Sequence, residues 1–192
     1  MGAARKYVVL SGCASAILLF GFALLYAALG DLYLSQERFR DSALAYQAFG
    51  ERYPSSQRAH LFQLKVIDAY EAGDFPALIL ESKASYTEAF AVGGVYWQSS
   101  TDAAREAIAP HLRQFLQELA SHYHAVAQTA KTSPTDASKR HGTAQGYMLA
   151  AGYYRQFVDG FPRDENVANM AFLLAESLFE AGELAQAVTA YD

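Results

Sequence analysis

From Tyr7 to Leu29 the chain runs for 23 residues without a charge, YVVLSGCASAILLFGFALLYAAL, directly behind Arg5 and Lys6. From the end of this run onward the apolar residues fall at helical intervals: Tyr26, Leu29 and Tyr33, then Phe39, Tyr46 and Phe49. Such spacing gathers them on one face of a helix. Alternating β-branched residues, the mark of a half-buried strand, are missing. The pattern predicts an all-α chain whose helices come in pairs, over about 23–56, 59–92, 110–163 and 168–192, the last pair incomplete. Between the second and third pairs, Gly93-Gly94 break the helical pattern, Ser100 or Thr101 can cap a new helix, and Pro110 can kink or restart it.

Gly30 is the anomaly in this pattern, because Gly inside a helix costs about 1 kcal/mol relative to Ala. Close packing offsets that cost if Gly30 and Ser42 are the small residues at which two helices cross. Two later features make the arrangement a repeat. YQAFGERYP (Tyr46–Pro54) and YRQFVDGFP (Tyr154–Pro162) share the order Tyr-x2-Phe-x3-aromatic-Pro, and small residues precede both by about a turn. Laid out as Tyr26, Leu29, Gly30, Tyr33, then Ser42, Tyr46, Phe49 and Pro54, the first unit resembles the 34-residue tetratricopeptide repeat. Gly73 stands at the turn of the second unit, with Asp74 as N-cap and Pro76 in the first helical turn. Tyr154, Phe157 and Pro162 close the third unit, and Gly182 turns the fourth. The resemblance implies an α-solenoid of antiparallel helix pairs, about three and a half repeats, with an apolar helix at its N-terminal end. In the third unit the polar stretch KTSPTDASKRHG, 131–142, is expected to be a surface insertion. The RYPSS and FPRDEN junctions are similar to those of tetratricopeptide proteins of the bacterial cell envelope.

The uncharged run is long enough, at 1.5 Å per residue, to cross a bilayer. Its basic flank would stay cytoplasmic and place the repeats outside. Two other readings stay open: LSGC at Leu10–Cys13 resembles a lipobox, and the run can equally be a soluble helix covering the end of the domain. If residues 7–29 are a membrane anchor, they overlap the first repeat at Tyr26 and Leu29. All 20 acidic residues and 13 of the 15 basic ones follow Leu29. So acidic a remainder, with no basic stripe, argues against nucleic acid as a partner. The single cysteine excludes an intramolecular disulfide and a Cys-based zinc site.

No catalytic constellation emerges. His122 and His124 are two apart and face different sides of a helix; His60, His111 and His141 are scattered and expected in solvent. No nucleophile elbow or phosphate-binding glycine loop is present, so no metal, cofactor or enzymatic activity is implied. In the resembled family, ligands lie along the concave surface lined by the first helix of each pair. That implies a partner surface of Asp31, Gln63, Tyr70, Glu71, Gln117, His124, Asn169, Phe172, Glu176 and Glu180. A polar to acidic groove with aromatic contacts suits a peptide or protein bearing Lys or Arg. The expectation is therefore a non-enzymatic scaffold of the cell envelope, with a membrane-anchored subunit acting by lateral helix packing as the alternative. Leu178, Leu184, Val188 and Tyr191 would leave an apolar edge at the last repeat, to be covered by further repeats or a capping partner.

Overall fold

At Gly30 the first two helices touch. The computed structural model describes residue 18, residues 21–132 and residues 137–191, and its first helix, α1, spans 21–35. α2 follows as Phe39–Arg52 and runs back antiparallel to α1. The Ser42 hydroxyl donates to the Gly30 carbonyl at 2.8 Å, which ties the crossing point. A Cβ on Gly30 would run into the Tyr46 ring, so a close helix contact requires glycine there. α3 (Ala59–Ala72) and α4 (Pro76–Ala89) continue the alternation. α1, α2 and α3 share a core of Ala23, Ala43, Tyr46, Phe49, Phe62, Val66, Ala69 and Tyr70, with Leu78 and Ile79 of α4 packed against it. The Phe49 and Phe62 rings stack with centroids 4.0 Å apart.

The chain divides into two compact units, one up to Ser82 and one from Lys83. The second unit takes in the end of α4, then α5 (Val95–Ser99), α6 (Asp102–Thr132), α7 (Ala137–Gly160), α8 (Val167–Ala181) and α9 (Leu184–Tyr191). Here α6 packs on α7, α7 on α8 and α8 on α9. Among the described residues there are helices and turns but no strand, so the protein is all-α with sequence-adjacent helices packed in pairs. The Thr101 hydroxyl accepts from the Ala104 N–H at 3.3 Å and caps α6. The helix then continues through Pro110 for 31 residues in all.

One turn closes three of these helices. After α1, Arg38 N–H reaches Tyr33 O and Glu37 N–H reaches Leu34 O; after α3, Phe75 reaches Tyr70 and Asp74 reaches Glu71. After α8, Glu183 reaches Leu178 and Gly182 reaches Phe179. This pair of bonds is the Schellman motif, whose penultimate residue must be left-handed. That residue is Glu37 (φ 58°), Asp74 (φ 54°) and Gly182 (φ 89°) in turn.

Several expectations change here. Gly73 stands in the turn at φ −91°, and a Cβ there would press on Phe75 and Phe39. Asp74 takes the strained position and lies one residue too early to be the N-cap of α4. Leu29 is 42% exposed rather than packed, because the face bearing Gly30 turns toward α2 and carries Leu29 outward. Tyr26 and Tyr33 are half-buried, and Pro54 and Pro162 are exposed. The stretch 131–142 is mostly helical: α6 includes Lys131 and Thr132, and α7 begins at Ala137. Eight of its twelve residues thus belong to the two helices, and 133–136 lie outside the described residues. His60, expected in solvent, is 3% exposed.

The candidate anchor lies largely outside the described residues, at 7–17, 19 and 20. Its described end is packed: Ala23, Tyr26 and Ala27 belong to the first core or lie against it. Among the described residues no helix is long and apolar enough to cross a membrane.

Candidate interaction surfaces

The expected partner residues fall into different settings. In the first unit Asp31 sits at the end of α1, where its carboxylate accepts from Tyr46 OH at 2.6 Å and from Lys65 Nζ at 2.8 Å. The Lys65 and Tyr46 bonds hold Asp31 below the usual carboxylate range. Burial lifts the Tyr46 hydroxyl above its ordinary value, and its bond to Asp31 adds to the shift. Burial works against the Lys65 charge, but the bonds and charges of Asp31 and Tyr46 together outweigh it and the ammonium is raised. Lys65 also lies 4.8 Å from the centre of the Tyr46 ring, a cation–π distance. Asp31 therefore links α1, α2 and α3, and its charge is already balanced within the fold. Gln63 donates to Ser82 O at 3.3 Å. Tyr70 is 8% exposed and belongs to the core, whereas Glu71 is exposed.

In the second unit His124 is buried at 6% exposure, not open to a ligand. Its Nδ1 lies 3.2 Å from Ser177 Oγ on α8 and its Nε2 lies 3.2 Å from Gln128 Nε2. Tyr147 and Tyr154 of α7 meet its ring edge to face at 5.4 and 6.1 Å. The imidazole thus joins α6, α7 and α8, with both nitrogens beside polar partners. Burial raises the hydroxyls of Tyr147 and Tyr154 above their ordinary values. Sequence reasoning placed His124 by its repeat position alone. The approach of Ser177, 53 residues later, leaves no local signal.

Asn169, Phe172, Glu176 and Glu180 recur at three, four and four residues, so they share one face of α8. Asn169 is exposed and Phe172 is 55% exposed, while Glu176 and Glu180 are half-buried. Glu180 accepts from Lys131 Nζ at 2.6 Å, and that bond raises the lysine. Gln117 is half-buried on α6, beside Glu118, which pairs with Lys83 at 2.8 Å. Ala171 and Leu174 occupy a different face of α8 and help to line a groove of about 570 Å³. α7 contributes Arg155, Val158 and Asp159 to this groove, and α9 contributes Ala185, Gln186, Thr189 and Ala190. Arg155 reaches Gln186 Oε1 at 3.0 Å.

No match is found among protein-family models, curated proteins or solved structures.

The fold must therefore speak through its own surfaces. Among the described residues no group of three or more His, Cys, Asp or Glu side chains could hold a metal ion. At the last helix Leu184, Val188 and Tyr191 are 56, 64 and 57% exposed, but Leu178, expected at the same edge, is buried because it shares the inward face of α8 with Leu174 and Ala175. Phe172 meets Tyr191 with ring centroids 6.1 Å apart, so the exposed aromatic of α8 adjoins this apolar edge. A second apolar surface is carried by α1, where Phe22, Leu24, Leu25, Leu29 and Leu32 are all more than 40% exposed. Sequence reasoning assigned Leu29 to the interior and so missed that face.

Proposed function

We propose that this chain is a non-enzymatic interaction scaffold built from tetratricopeptide-like helix pairs, working at a bacterial cell envelope. The observation that carries the reading is the face of α8: Phe172, 55% exposed, stands in one stripe with Asn169, Glu176 and Glu180. An aromatic side chain left in water beside carboxylates is a docking element for an amphipathic segment bearing Lys or Arg. Asp31 and Glu180 contribute less charge to such a partner, because Lys65 and Lys131 already engage them. No catalytic role is assigned to any residue, and no cofactor enters the proposal.

A photo-crosslinking amino acid at position 172, in cells that express the chain natively, tests this. The expected result is one discrete adduct that weakens when Glu176→Lys is added. Absence of an adduct at 172, with efficient crosslinking elsewhere on the chain, removes the α8 face from the proposal.

A second reading is favoured by the outward face of α1. In it the chain is a membrane-anchored assembly subunit, held through the uncharged segment 7–29 and acting by lateral helix packing. Carbonate washing of membranes tests the anchor, and full release into the soluble fraction counts against it.

A further inference from the structure

The pair α8–α9 repeats the pair α1–α2 at a constant offset. Ala175, Ala187 and Tyr191 stand 145 residues after Gly30, Ser42 and Tyr46, and the left-handed Gly182 stands 145 after Glu37. Both turns close with the same bond, Arg38 N–H to Tyr33 O in one and Glu183 N–H to Leu178 O in the other. Yet one pair is covered where the other is bare. Ala43 and Tyr46 on α2 are 0 and 1% exposed, whereas their counterparts Val188 and Tyr191 on α9 are 64 and 57% exposed. The cover of α2 is α3. Phe62 meets the Tyr46 ring at 6.3 Å and Lys65 stands over it at 4.8 Å. At the far end of α3, Gly73 comes close to Phe39, the counterpart of Leu184.

The charges say what kind of helix fits. Asp31 accepts from Tyr46 and from Lys65 of the covering helix. Its counterpart 145 residues on is Glu176. Among the described residues Glu176 has no hydrogen bond or ion pair; it feels the charge of Lys131, but that ammonium is bonded to Glu180. The pair α6–α7 supplies the contrast. There Ser121 bonds the Tyr154 hydroxyl, as Asp31 bonds that of Tyr46, and Tyr154 is 2% exposed. His124 on α6 reaches Ser177 on α8, 53 residues later, and the same interval brings Leu174 level with Ser121. The covering helix thus sets a leucine at the uncharged serine and a lysine at the charged aspartate.

We infer that α8–α9 receives a further helix in the place that α3 takes on α1–α2, borne by a partner protein and carrying a lysine or arginine for Glu176 and the Tyr191 ring. This helix runs antiparallel to α9, as α3 does to α2, and lays its apolar stripe over Leu184 and Val188. Its cation meets a carboxylate and an aromatic face together, the two contacts that Lys65 makes. The inference rests on the reading of α8 as a docking face for a basic segment, and it adds the conformation of that segment and the part played by α9.

A stapled peptide of residues 57–73, which contains α3, is the probe, and the full chain is the receptor. The staple supplies the helix before binding. Fluorescence anisotropy should show saturable binding that weakens about tenfold with Val188→Asp in the chain or with Lys65→Glu in the peptide. Leu44→Asp on α2, at a position 57% exposed, is the control and should leave binding unchanged. In a charge swap, the Glu176→Lys chain should bind the Lys65→Glu peptide more tightly than the unaltered one. Binding that is absent, or indifferent to the swap, overturns the inference. In cells that express the chain natively, a photo-crosslinking residue at 188 should give an adduct heavier than the chain, and Glu176→Lys should weaken it. A link that stays within the mass of the chain shows that its own polypeptide covers the face, and overturns the partner. An adduct at 172 with none at 188 removes the added helix and leaves the α8 reading standing.

Discussion

The two units solve one packing problem at different lengths. In the first, α2, α3 and α4 have 14 residues each, so each spans about 21 Å. Their contacts concentrate on a few aromatic rings around Gly30. In the second, α6 and α7 have 31 and 24 residues, and three helices are tied together by the buried His124. A short pair is located by one close crossing, where a glycine admits a tyrosine ring. A long pair slides more easily, and a buried polar contact fixes its register better than apolar packing alone.

The largest test of this contrast is at the glycines. Gly30→Leu should destabilise by several kcal/mol, since even a methyl group would meet the Tyr46 ring. At Gly142 in α7 a Cβ meets nothing within 4 Å, so Gly142→Ala should be neutral or stabilising by up to about 1 kcal/mol. Similar losses at the two sites in thermal unfolding would contradict the distinction.

A smaller effect is expected from the polar tie. Ser177→Ala leaves His124 Nδ1 without its 3.2 Å partner in a buried setting, costing about 1–3 kcal/mol. Ser177→Thr, which keeps the hydroxyl, separates this loss from a change of packing. Denaturant midpoints measure both. If Ser177→Ala is neutral, the tie does not hold the long helices.

The turns should respond in the opposite direction. Glu37 has φ 58°, a conformation glycine adopts without penalty. Glu37→Gly should therefore raise stability by roughly 0.5–1 kcal/mol, where glycine inside a helix does the reverse. A loss at position 37 would mean that the Glu37 side chain holds the turn.

The smallest effect concerns acid. Asp31 is held below its unfolded pKa, so its contribution is complete above the unfolded value and fades as pH falls through the lower folded one. Asp31→Asn should flatten that part of the stability–pH curve below about pH 4. Because the Asp31 side chain is 56% exposed, salt should weaken the difference. An unchanged acid limb in Asp31→Asn would separate the carboxylate from the α1–α2–α3 contact.

Helical periodicity made the all-α class and the pairing of neighbours legible in advance, and the need for a small residue at 30 was visible in the helix penalty. Other features were hidden for physical reasons. Polar and small residues between 131 and 142 suit a loop by local preference, yet Thr132, Ser138 and Gly142 are held in α6 and α7. Asp74 suits an N-cap by residue type, but the structure gives it the left-handed position of the turn, with Gly73 beside it supplying clearance. Of the expected partner residues, those exposed on α8 needed only their spacing. The burial of Tyr70 and His124 depends on residues from other helices.

The ties of the second unit also set a timetable for synthesis. Ser42 finds Gly30 across 12 residues and Tyr46 finds Asp31 across 15, so these partners leave the ribosome almost together. Arg113 waits 51 residues for Asp164, and His124 waits 53 for Ser177. At about 5–20 residues per second, the second kind of partner arrives roughly 3–10 s late. During that interval α6 has emerged while the α8 side chain that engages its histidine has yet to be made. The nascent chain is thus most open to chaperones and to misassociation while it is already longer than its complete first unit.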